Sequence, residues 1–381
     1  MRVALVIGEG IGCGALPALI AALRRRDWTV IPVLSSLAES CLGSALLGGL
    51  CGQDPVAAAA LAAADVTLLA PCEAPRLAAL LAAPAGSLPL PLPVVVVPVA
   101  ASAATEGSTS AAGLIRSGWR LVPPSQPLLG GGVSGLFMAS PEAVCESVAA
   151  SVAGQDLAGI AVLVTAGPTC EDVDPVRFLS NRSSGLMGVA LALAAWRRGA
   201  AVTLVHGPLQ VEVPCLPGLL ALPVRSARQM HAAVMGCCAA HPVAILCAAV
   251  ADFMPARCED RKIKKNSAAG RELELVRTPD ILAALGALPA RPFLVGFAAE
   301  THDLHAHATE KLRRKNCDLL CANDVTEPGS GFGVATNRIT LFARDGSVTP
   351  LPQLAKSQAA ERILDRVVAG LRAGRSSRLS P

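Results

Sequence analysis

The chain contains 381 residues, carries a formal net charge of +4 and is 52% hydrophobic, and this length favours two domains with separate cores. Its 33 basic residues are scattered and no Tyr is present, so a nucleic-acid-binding surface is not indicated. The longest uncharged run, 77–105, contains five prolines, too many for a membrane-spanning helix. The 13 cysteines follow no metal-site or disulfide spacing, and we interpret them as reduced core residues of a cytoplasmic protein.

The N-terminal half alternates apolar runs with helical stretches. Glu9 and several glycines interrupt the opening MRVALVIGEGIGCG, which favours a strand and a turn over a signal peptide. A helix, LPALIAALRRR, follows, and three further runs predict strands: WTVIPVL, DVTLLAP and PVVVVPV. This order is typical of a parallel sheet covered on both faces. The pattern is lost around 150–159, where we place a domain boundary.

The C-terminal half continues in the same rhythm, beginning with the strand and turn IAVLVTAGPT. Four later runs predict strands: AVTLVHG, VAILCAAVAD, PFLVGFAAE and CDLLCANDV. NRITLFARDG predicts an edge hairpin, and SSGLMGVALALAAWRRG has helix start and stop signals at its Ser and Gly. A last helix, LAKSQAAERILDRVVAGLRAG, precedes a polar tail that we expect to be disordered.

A polar loop follows the first strand of this half, where ligands of open α/β sheets bind. It contains small and polar residues directly before a helix: Gly167, Thr169, Asn181, Ser183, Ser184 and Gly185. Free N–H groups and the helix dipole would favour an anion there. The alternative is a helix capped by Ser183 behind a long loop. The loop is not a G-x-G-x-x-G turn, so nicotinamide binding lacks its usual support.

Two basic clusters lie farther along the chain. Lysines 262, 264 and 265 follow the strand-end Asp252, and alternate positions of an extended segment share one side. Lys311 and Lys315 are spaced i, i+4 on a helix, so their ammonium groups share a face. Solvated loops, or pairs with Glu310 and Asp318, would also explain such charges. Three clusters at the ends of one sheet nevertheless favour a polyphosphate site.

The second half, from about 160 to 364, resembles the ligase domain of the bifunctional phosphopantothenoylcysteine decarboxylases and phosphopantothenate–cysteine ligases of coenzyme A biosynthesis. The resemblance is carried by ordered motifs: VTAGPT, DPVRFLSNRSSGLMG, RRGAAVTLVHGP, CAAVADF, KIKK, TPDILAAL, VGFAAET, RKNCDLLCANDV and TNRITLF. It implies an α/β chain with two doubly wound domains, a flavodoxin-like one at 1–152 and a Rossmann-like one with a parallel sheet at 158–372.

The resemblance also implies a reaction. The substrates are phosphopantothenate, cysteine and CTP, with Mg²⁺ held chiefly by phosphate oxygens. The pantothenate carboxylate attacks the α-phosphate of CTP to give an acyl-cytidylate and pyrophosphate, and the amino group of cysteine then displaces CMP. A homo-oligomer formed through the ligase domain is a further implication.

Residue roles follow from the same resemblance. Asn181 matches an amide that holds the acyl-cytidylate and assists its conversion, and an amide donor aimed at an oxyanion fits that task. Ala248 and Ala249 match small residues beside the reacting acyl group, and Lys262 matches a lysine that offsets charge during activation. The matches to nucleotide-contacting or triphosphate-facing positions are Asp252, Pro279, Asp280, Ile281, Phe297, Lys311 and Lys315. In SSGLMG, Leu186 stands where the family has a Lys.

The first half keeps the outline of an FMN-dependent decarboxylase and lacks its chemistry. The first His of the chain is His206, so the His of the family is missing. PVAASAAT lacks the catalytic Asn, Gly130 stands at the position of a substrate-clamping Cys, and PCEAP replaces a flavin-contact segment. Decarboxylation is therefore predicted to be lost, and FMN binding through glycines 8 and 10 and serines 35 or 36 is doubtful.

Other functions remain open at this stage. The chain could be fully bifunctional, with both ligase and decarboxylase activities, or a non-catalytic nucleotide- or flavin-binding regulator. A nucleotide-sugar or NAD(P) oxidoreductase is disfavoured, because no Tyr is available as a proton donor and no dinucleotide glycine motif is present. The preferred hypothesis is a CTP-dependent ligase with a degenerate flavodoxin-like domain.

Overall fold

The computed structural model describes residues 1–7, 11–34, 43–56, 62–72, 93–99, 119–127, 137–264, 272–300 and 302–379. Its contacts divide the chain into two compact units. The first is Met1–Gly154 with Pro214–Pro217, and the second is Gln155–Val213 with Gly218–Pro381.

The first unit contains a parallel sheet. Its described elements are β1 (Arg2–Ile7), a 3₁₀ turn (Ile11–Ala15), α1 (Leu16–Arg24), β2 (Thr29–Leu34), α2 (Ser44–Cys51), β3 (Val66–Cys72), β4 (Val94–Pro98), β5 (Arg120–Leu121), β6 (Gln126–Pro127), β7 (Phe137–Met138) and α3 (Pro141–Val152). β1 to β5 pair in the order β2-β1-β3-β4-β5, all parallel. This 2-1-3-4-5 order is that of flavodoxin-like folds, so the predicted fold of this unit is confirmed.

Apolar strand sequences explain this sheet. Every residue of β3 and β4 is buried, as are the last five residues of β1. Strands buried on both faces require continuous apolar runs instead of alternating ones. The runs recognised in the sequence are of this kind.

The second unit contains the larger sheet. Its strands are β8 (Ala161–Ala166), β9 (Cys170–Asp172), β10 (Phe178–Ser180), β11 (Ala201–His206), β12 (Leu219–Pro223), β13 (Val243–Leu246), β14 (Phe253–Pro255), β15 (Leu275–Arg277), β16 (Phe293–Glu300), β17 (Leu319–Asp324), β18 (Thr336–Asn337), β19 (Thr340–Ala343), β20 (Val348–Pro350) and β21 (Leu354–Ala355). Its helices are α4 (Leu186–Arg197), α5 (Ala227–Cys237), a 3₁₀ turn (Cys238–Ala240), α6 (Ile281–Gly286), α7 (Leu304–Arg314) and α8 (Lys356–Leu379).

Eight of these strands form one sheet in the order β12-β11-β8-β13-β16-β17-β19-β20. The first six are parallel, and the last two are antiparallel at the edge. The parallel strands follow the 3-2-1-4-5-6 order of the Rossmann fold, in which ligands bind where the order reverses. The Rossmann-like prediction is therefore confirmed, and the reversal lies between β8 and β13.

Helices form layers on this sheet. α5, α6 and α7 contribute to one apolar cluster with strand residues that include Leu163, Ala244 and Leu320. α4 and α8 pack against each other. Helix α8 runs to Leu379, so the prediction of a disordered tail after Gly374 is wrong. No proline lies between Gly374 and Pro381, and Arg and Leu continue a helix at little cost.

Buried ion pairs fix α4 against α8. The guanidinium of Arg198, on a residue that is only 8% exposed, donates to Asp156 at 2.6 and 2.8 Å and to Asp365 at 2.9 Å. Arg197 donates to Glu361 at 2.7 Å. Bidentate pairs of this kind add geometric constraint as well as energy. They hold α8 at Glu361 and Asp365, and the first residue of this helix, Lys356, belongs to the site described below.

Candidate functional site

A cavity of about 710 Å³ opens at the carboxyl ends of β8, β13 and β16. It lies at the reversal of strand order, as the fold predicts. All but one of the residues to which the family resemblance gave a catalytic or nucleotide-contacting role line it: Asn181, Ala248, Ala249, Asp252, Pro279, Asp280, Ile281, Phe297, Lys311 and Lys315. Lys262 is the exception. The site-residue roles themselves remain predictions.

The N-terminus of α4 forms one wall. Its cap is Gly185 at φ +82°, not a serine, so the helix starts later than the Ser signal predicts. The hydroxyls of Ser183 and Ser184 accept from the N–H groups of Gly185 and Leu186 at 3.3 and 3.4 Å. The next two N–H groups, of residues 187 and 188, have no acceptor among the described residues. They are the donors that a helix N-terminus offers to an anion.

Gly188 lets α4 approach the sheet. A Cβ at this position would lie 2.5 Å from the Cβ of Ala166 and 2.8 Å from the carbonyl oxygen of Thr165. Both neighbours belong to β8, whose backbone is buried in the centre of the sheet. Only glycine therefore allows the first turn of α4 to lie directly over the strand end.

The segment after β13 forms the floor of the cavity, and its backbone is fixed by threonines. The Thr165 hydroxyl accepts from the N–H of Ala248 at 3.1 Å, and the Thr169 hydroxyl accepts from the N–H of Ala251 at 3.0 Å. The N–H of Ala249 donates to the carbonyl of Gly167 at 2.9 Å. Small side chains on a rigid backbone leave room for a ligand close to the main chain.

Asn181 is tied to this floor. Its amide nitrogen donates to the carbonyls of Ala249 at 3.0 Å and Val250 at 3.1 Å. Both amide hydrogens are thus used, and the side-chain oxygen is the group left to interact with a ligand. The expected donor to an oxyanion is not offered in this arrangement, because the amide instead joins the α4 loop to the end of β13.

Helices α6 and α7 supply the cationic wall. Lys315, the C-cap of α7, pairs with Asp280, the N-cap of α6. Burial acts to raise the pKa of Asp280, but the hydrogen bonds from Lys315 and the N–H of Ala283 outweigh it and lower that pKa. Burial lowers the pKa of Lys311; Lys315 adds to this effect, and Glu300 and Asp252 oppose it. Both lysines line the cavity, Lys315 in an ion pair with Asp280 and Lys311 without an ion pair among the described residues.

The alternative pairing of these lysines with Asp318 is wrong. Asp318 accepts from Arg291, from Arg344 at 3.1 Å and from the N–H of Leu294 at 2.8 Å. It instead joins the start of β16 to the residue that follows β19. The position of Asp318 in the sheet determines these partners, and the local sequence does not reveal that position.

Lys262 is exposed and lies outside the cavity wall, and its neighbour is anchored. Ile263 donates its N–H to the buried carboxylate of Asp174 at 3.0 Å, and Arg177 donates to the carbonyl of Ile263 at 2.7 Å. Burial acts to raise the pKa of Asp174, but the hydrogen bonds from Ile263, Val176 and Arg177 hold it well below its usual range. Lys265 lies outside the described residues.

Three buried polar residues of the cavity were missed by sequence reasoning. Lys356, Asn323 and Asn337 are 5%, 8% and 5% exposed and line the same space. Asn323 follows a recognisable strand in CDLLCANDV, so its strand-end position was a usable signal. Asn337 opens the predicted hairpin and Lys356 lies near the start of the last predicted helix, and nothing local marks either residue as part of a site.

In the part of the chain that the structure describes, no three His, Cys, Asp or Glu side chains cluster as metal ligands would. The flavin expectations at residues 8, 10, 35, 36 and 130 lie outside the described residues. No described helix is long and apolar enough to cross a bilayer.

The fold and the cavity define a class of protein: a Rossmann-like α/β domain with a strand-end cleft equipped for an anionic, nucleotide-sized ligand. The family model for the DNA/pantothenate metabolism flavoprotein C-terminal domain matches residues 157–371. A solved structure of the C-terminal domain of a coenzyme A biosynthesis bifunctional protein, CoaBC, is 38% identical, with a TM-score of 0.49, and covers 58% of this chain and 100% of its own.

Two curated relatives are coenzyme A biosynthesis bifunctional proteins. The Escherichia coli protein is 36% identical over 96% of both chains. The Vibrio cholerae protein is 47% identical over 55% of this chain, and the match spans about half of that relative, 52%. The chain therefore belongs to the family of coenzyme A biosynthesis bifunctional proteins. The resemblance recognised in the sequence is confirmed.

Proposed function

We propose that the second unit is a CTP-dependent phosphopantothenate–cysteine ligase. The observation that carries this proposal is the composition of one cavity. Its walls combine free N–H groups at the start of α4, the small-residue floor after β13 and the cations of α7. A triphosphate needs the N–H groups and the cations, and an acyl group that must approach the main chain needs the small-residue floor.

In the first step, a carboxylate oxygen of phosphopantothenate attacks the α-phosphorus of CTP. The P–O bond to the β-phosphate breaks, and pyrophosphate leaves with its electron pair. Lys311 and Lys315 provide positive charge toward the phosphates. Asp280 holds Lys315 in place, so the triphosphate meets a preorganised cation.

Asn181 is assigned a positioning role. Its amide joins the loop before α4 to the carbonyls of Ala249 and Val250. This fixes the anion-binding N–H groups relative to the floor where the acyl group lies. Its free side-chain oxygen can accept a hydrogen bond from the attacking amine in the second step.

In the second step, the amino group of cysteine attacks the acyl carbon. The acyl–phosphate C–O bond breaks, CMP leaves as the phosphate monoanion or dianion, and the amine releases one proton. Asp252 lies at the floor of the same cavity and is assigned to the nucleotide, as are Pro279, Ile281 and Phe297. Lys262 is assigned to the activation step from the rim, which its exposed position next to the anchored Ile263 supports.

Magnesium fits this donor set only in part. The carboxylates that line the cavity are Asp252 and Asp280, and the second is already paired with Lys315. A Mg²⁺ ion would be held chiefly by triphosphate oxygens, with Asp252 as the available protein oxygen. When bound, the ion would supply neutralisation of phosphate charge.

The N-terminal unit is proposed to lack decarboxylase activity. No His precedes His206 in the sequence, and Gly130 replaces the clamping Cys. Proton transfer and substrate clamping would therefore lack their usual groups. If the ligation product and FMN are supplied to the full chain, carbon dioxide release should stay at the level of a flavin-only control.

A homo-oligomer through the second unit is also proposed. Exposed apolar side chains stand on the two short hairpins β9–β10 and β14–β15, namely Phe178, Phe253, Leu275 and Val276, which are 51%, 49%, 44% and 37% exposed. Several large apolar side chains exposed on one unit favour an interface if they form one patch. Light scattering during size-exclusion chromatography should give a mass of at least two chains, and the single-chain mass of 38.7 kDa would contradict it.

The ligase proposal is tested by resolving the half-reactions. CTP and phosphopantothenate without cysteine should release one pyrophosphate per site, and CMP should appear only after cysteine is added. ATP at the same concentration should give a much smaller burst. Binding of CTP and phosphopantothenate without any pyrophosphate would instead support the regulator hypothesis.

A further inference from the structure

Lys356 is a buried cation in the cleft without a described counter-charge. It is the first residue of α8, is 5% exposed and lines the cavity. Its ammonium donates to the carbonyl of Gly331 at 3.1 Å. Among the described residues no carboxylate forms an ion pair with it, and the ionisable group named beside it is the thiol of Cys247. Buried ammonium groups are costly unless they are paired.

Cys247 cannot neutralise this lysine. Burial raises the pKa of the Cys247 thiol to about 12, so the thiol stays neutral at physiological pH. Burial also lowers the pKa of Lys356. An ammonium carries three hydrogens, and the carbonyl of Gly331 uses one of them. The other hydrogens of the ammonium group can be donated to a ligand in the cleft.

The position of Lys356 is fixed from two sides. Asn337 accepts from the hydroxyl of Ser330 at 3.0 Å and from the N–H groups of Gly331 and Arg338 at 3.4 and 3.0 Å. This holds the carbonyl of Gly331 in place. On the other side, the ion pairs of α8 with α4 hold the helix that carries the lysine. A fixed cation at a cleft wall is preorganised for binding.

The residues around Lys356 indicate which part of a bound substrate lies near its ammonium group. Cys247 directly precedes Ala248 and Ala249, the floor beside which the acyl group is proposed to react. Lys356 therefore lies at the acyl end of the cleft, whereas Lys311 and Lys315 stand on the other wall with α6 and α7. A carboxylate is the anionic group expected at that end.

We propose that Lys356 binds a substrate carboxylate in this cleft, a role that rests on the proposed ligase function. Two substrates could supply that group. It is either the carboxylate of phosphopantothenate, before activation, or the carboxylate of cysteine, during the second step.

Two variants and a control test this. In Lys356→Gln the amide can still donate to the carbonyl of Gly331, so the loop is kept while the charge is removed. Lys356→Arg keeps the charge. Arg362→Met on the same helix removes an exposed cation, 66% exposed, and should behave as the wild type.

Pyrophosphate release without cysteine is measured first, and the complete reaction is then run with cysteine and with cysteamine, which lacks the carboxylate. If the first substrate supplies the carboxylate, Lys356→Gln should slow pyrophosphate release at least tenfold. If cysteine supplies it, pyrophosphate release should be unchanged, the KM for cysteine should rise at least tenfold, and the preference over cysteamine should disappear. Lys356→Arg should recover part of either loss.

Unchanged kinetics in a folded Lys356→Gln protein would overturn the proposal. An equal loss with cysteine and cysteamine, together with normal pyrophosphate release, would also overturn it, because it would indicate a structural role. Should neither variant fold, the wild type is compared in two ways: binding of phosphopantothenate against its carboxamide by calorimetry, and turnover of cysteine against cysteamine. No preference in either comparison would overturn a carboxylate site, and a preference in either one supports it. If the wild type releases no pyrophosphate at all, the ligase proposal fails, and calorimetry with phosphopantothenate alone still tests Lys356.

Discussion

Replacing Gly188 by Ala should displace the anion-binding end of α4. The added Cβ would lie 2.5 Å from the Cβ of Ala166 and 2.8 Å from the carbonyl oxygen of Thr165. Apolar atoms pack best at about 3.5–4.0 Å. Because β8 is buried in the sheet, the helix has to move outward by about 1 Å.

The energetic terms oppose each other. Overpacking a core costs roughly 1–3 kcal/mol, and Ala in place of Gly in a helix returns up to about 1 kcal/mol. The net loss should be about 0–2 kcal/mol, which for a domain of this size lowers Tm by no more than about 8 °C. The catalytic effect should be larger, because a shift of about 1 Å in a binding group can cost up to about a hundredfold.

A matched control is available in α5. A Cβ on Gly236 would meet nothing within 4 Å, and this residue is exposed. Gly236→Ala should therefore raise Tm slightly and leave activity unchanged. Thermal unfolding and kcat/KM for phosphopantothenate are measured for both variants. A Gly188→Ala enzyme with wild-type kcat/KM would refute the argument that the first turn of α4 holds the anion.

Three further outcomes are expected. Asn181→Asp should release pyrophosphate but form product about 10²–10³ times more slowly, because a carboxylate would face the carbonyls of Ala249 and Val250; rapid-quench analysis with normal product formation would contradict this. Burial lowers the pKa of Lys311 below its usual 10.5, so the ammonium loses its proton, and the KM for CTP begins to rise, at a pH below 10.5. Lys311→Arg should move this rise to higher pH because a guanidinium stays charged. Superimposable pH profiles of the two proteins would argue against this role. Leu186→Lys should cost about 0.3–1 kcal/mol of stability, because a cation opposes the dipole at a helix N-terminus, while lowering the KM of an anionic substrate; an unchanged KM would show that residue 186 does not face the substrate.

Much of the fold could be predicted from the sequence because its strands are buried on both faces. Runs such as AVLVTA and VVVVP are short and continuously apolar, which is typical of strands buried on both faces. Their alternation with helical stretches implies parallel pairing. The strand order, by contrast, comes from packing between distant segments. The sequence did not predict β12 or the strand pairs β9–β10 and β14–β15. β12, β14 and β15 are short and only partly buried, so they lack a continuous apolar run.

Part of the candidate site could be predicted because ligands of open α/β sheets bind at the carboxyl ends of strands, and polar or small residues at such positions can be recognised in the sequence. Ala248 and Asp252 lie in the segment after β13, and Asn181 lies in the loop between β8 and α4; the structure brings all three into one cavity. Pairing could not be predicted in the same way. Asp280 and Lys315 are 35 residues apart, and only the contact between α6 and α7 makes them partners. The buried position of Lys356 likewise depends on how α8 packs on α4.

The arrangement also explains how the proposed ligase chemistry could persist beside a flavodoxin-like unit that, by our proposal, has lost its decarboxylase activity. Every described residue that lines the cleft lies between Thr165 and Lys356, within the second unit. The groups that fix those residues, among them Thr169, Asp174 and Arg198, belong to that unit as well. Loss of a proton carrier in the first half removes no hydrogen bond or charge from this set. The two chemistries are therefore separable in this chain, and selection on the ligase alone would preserve the cleft while leaving the residues of the first half free to change.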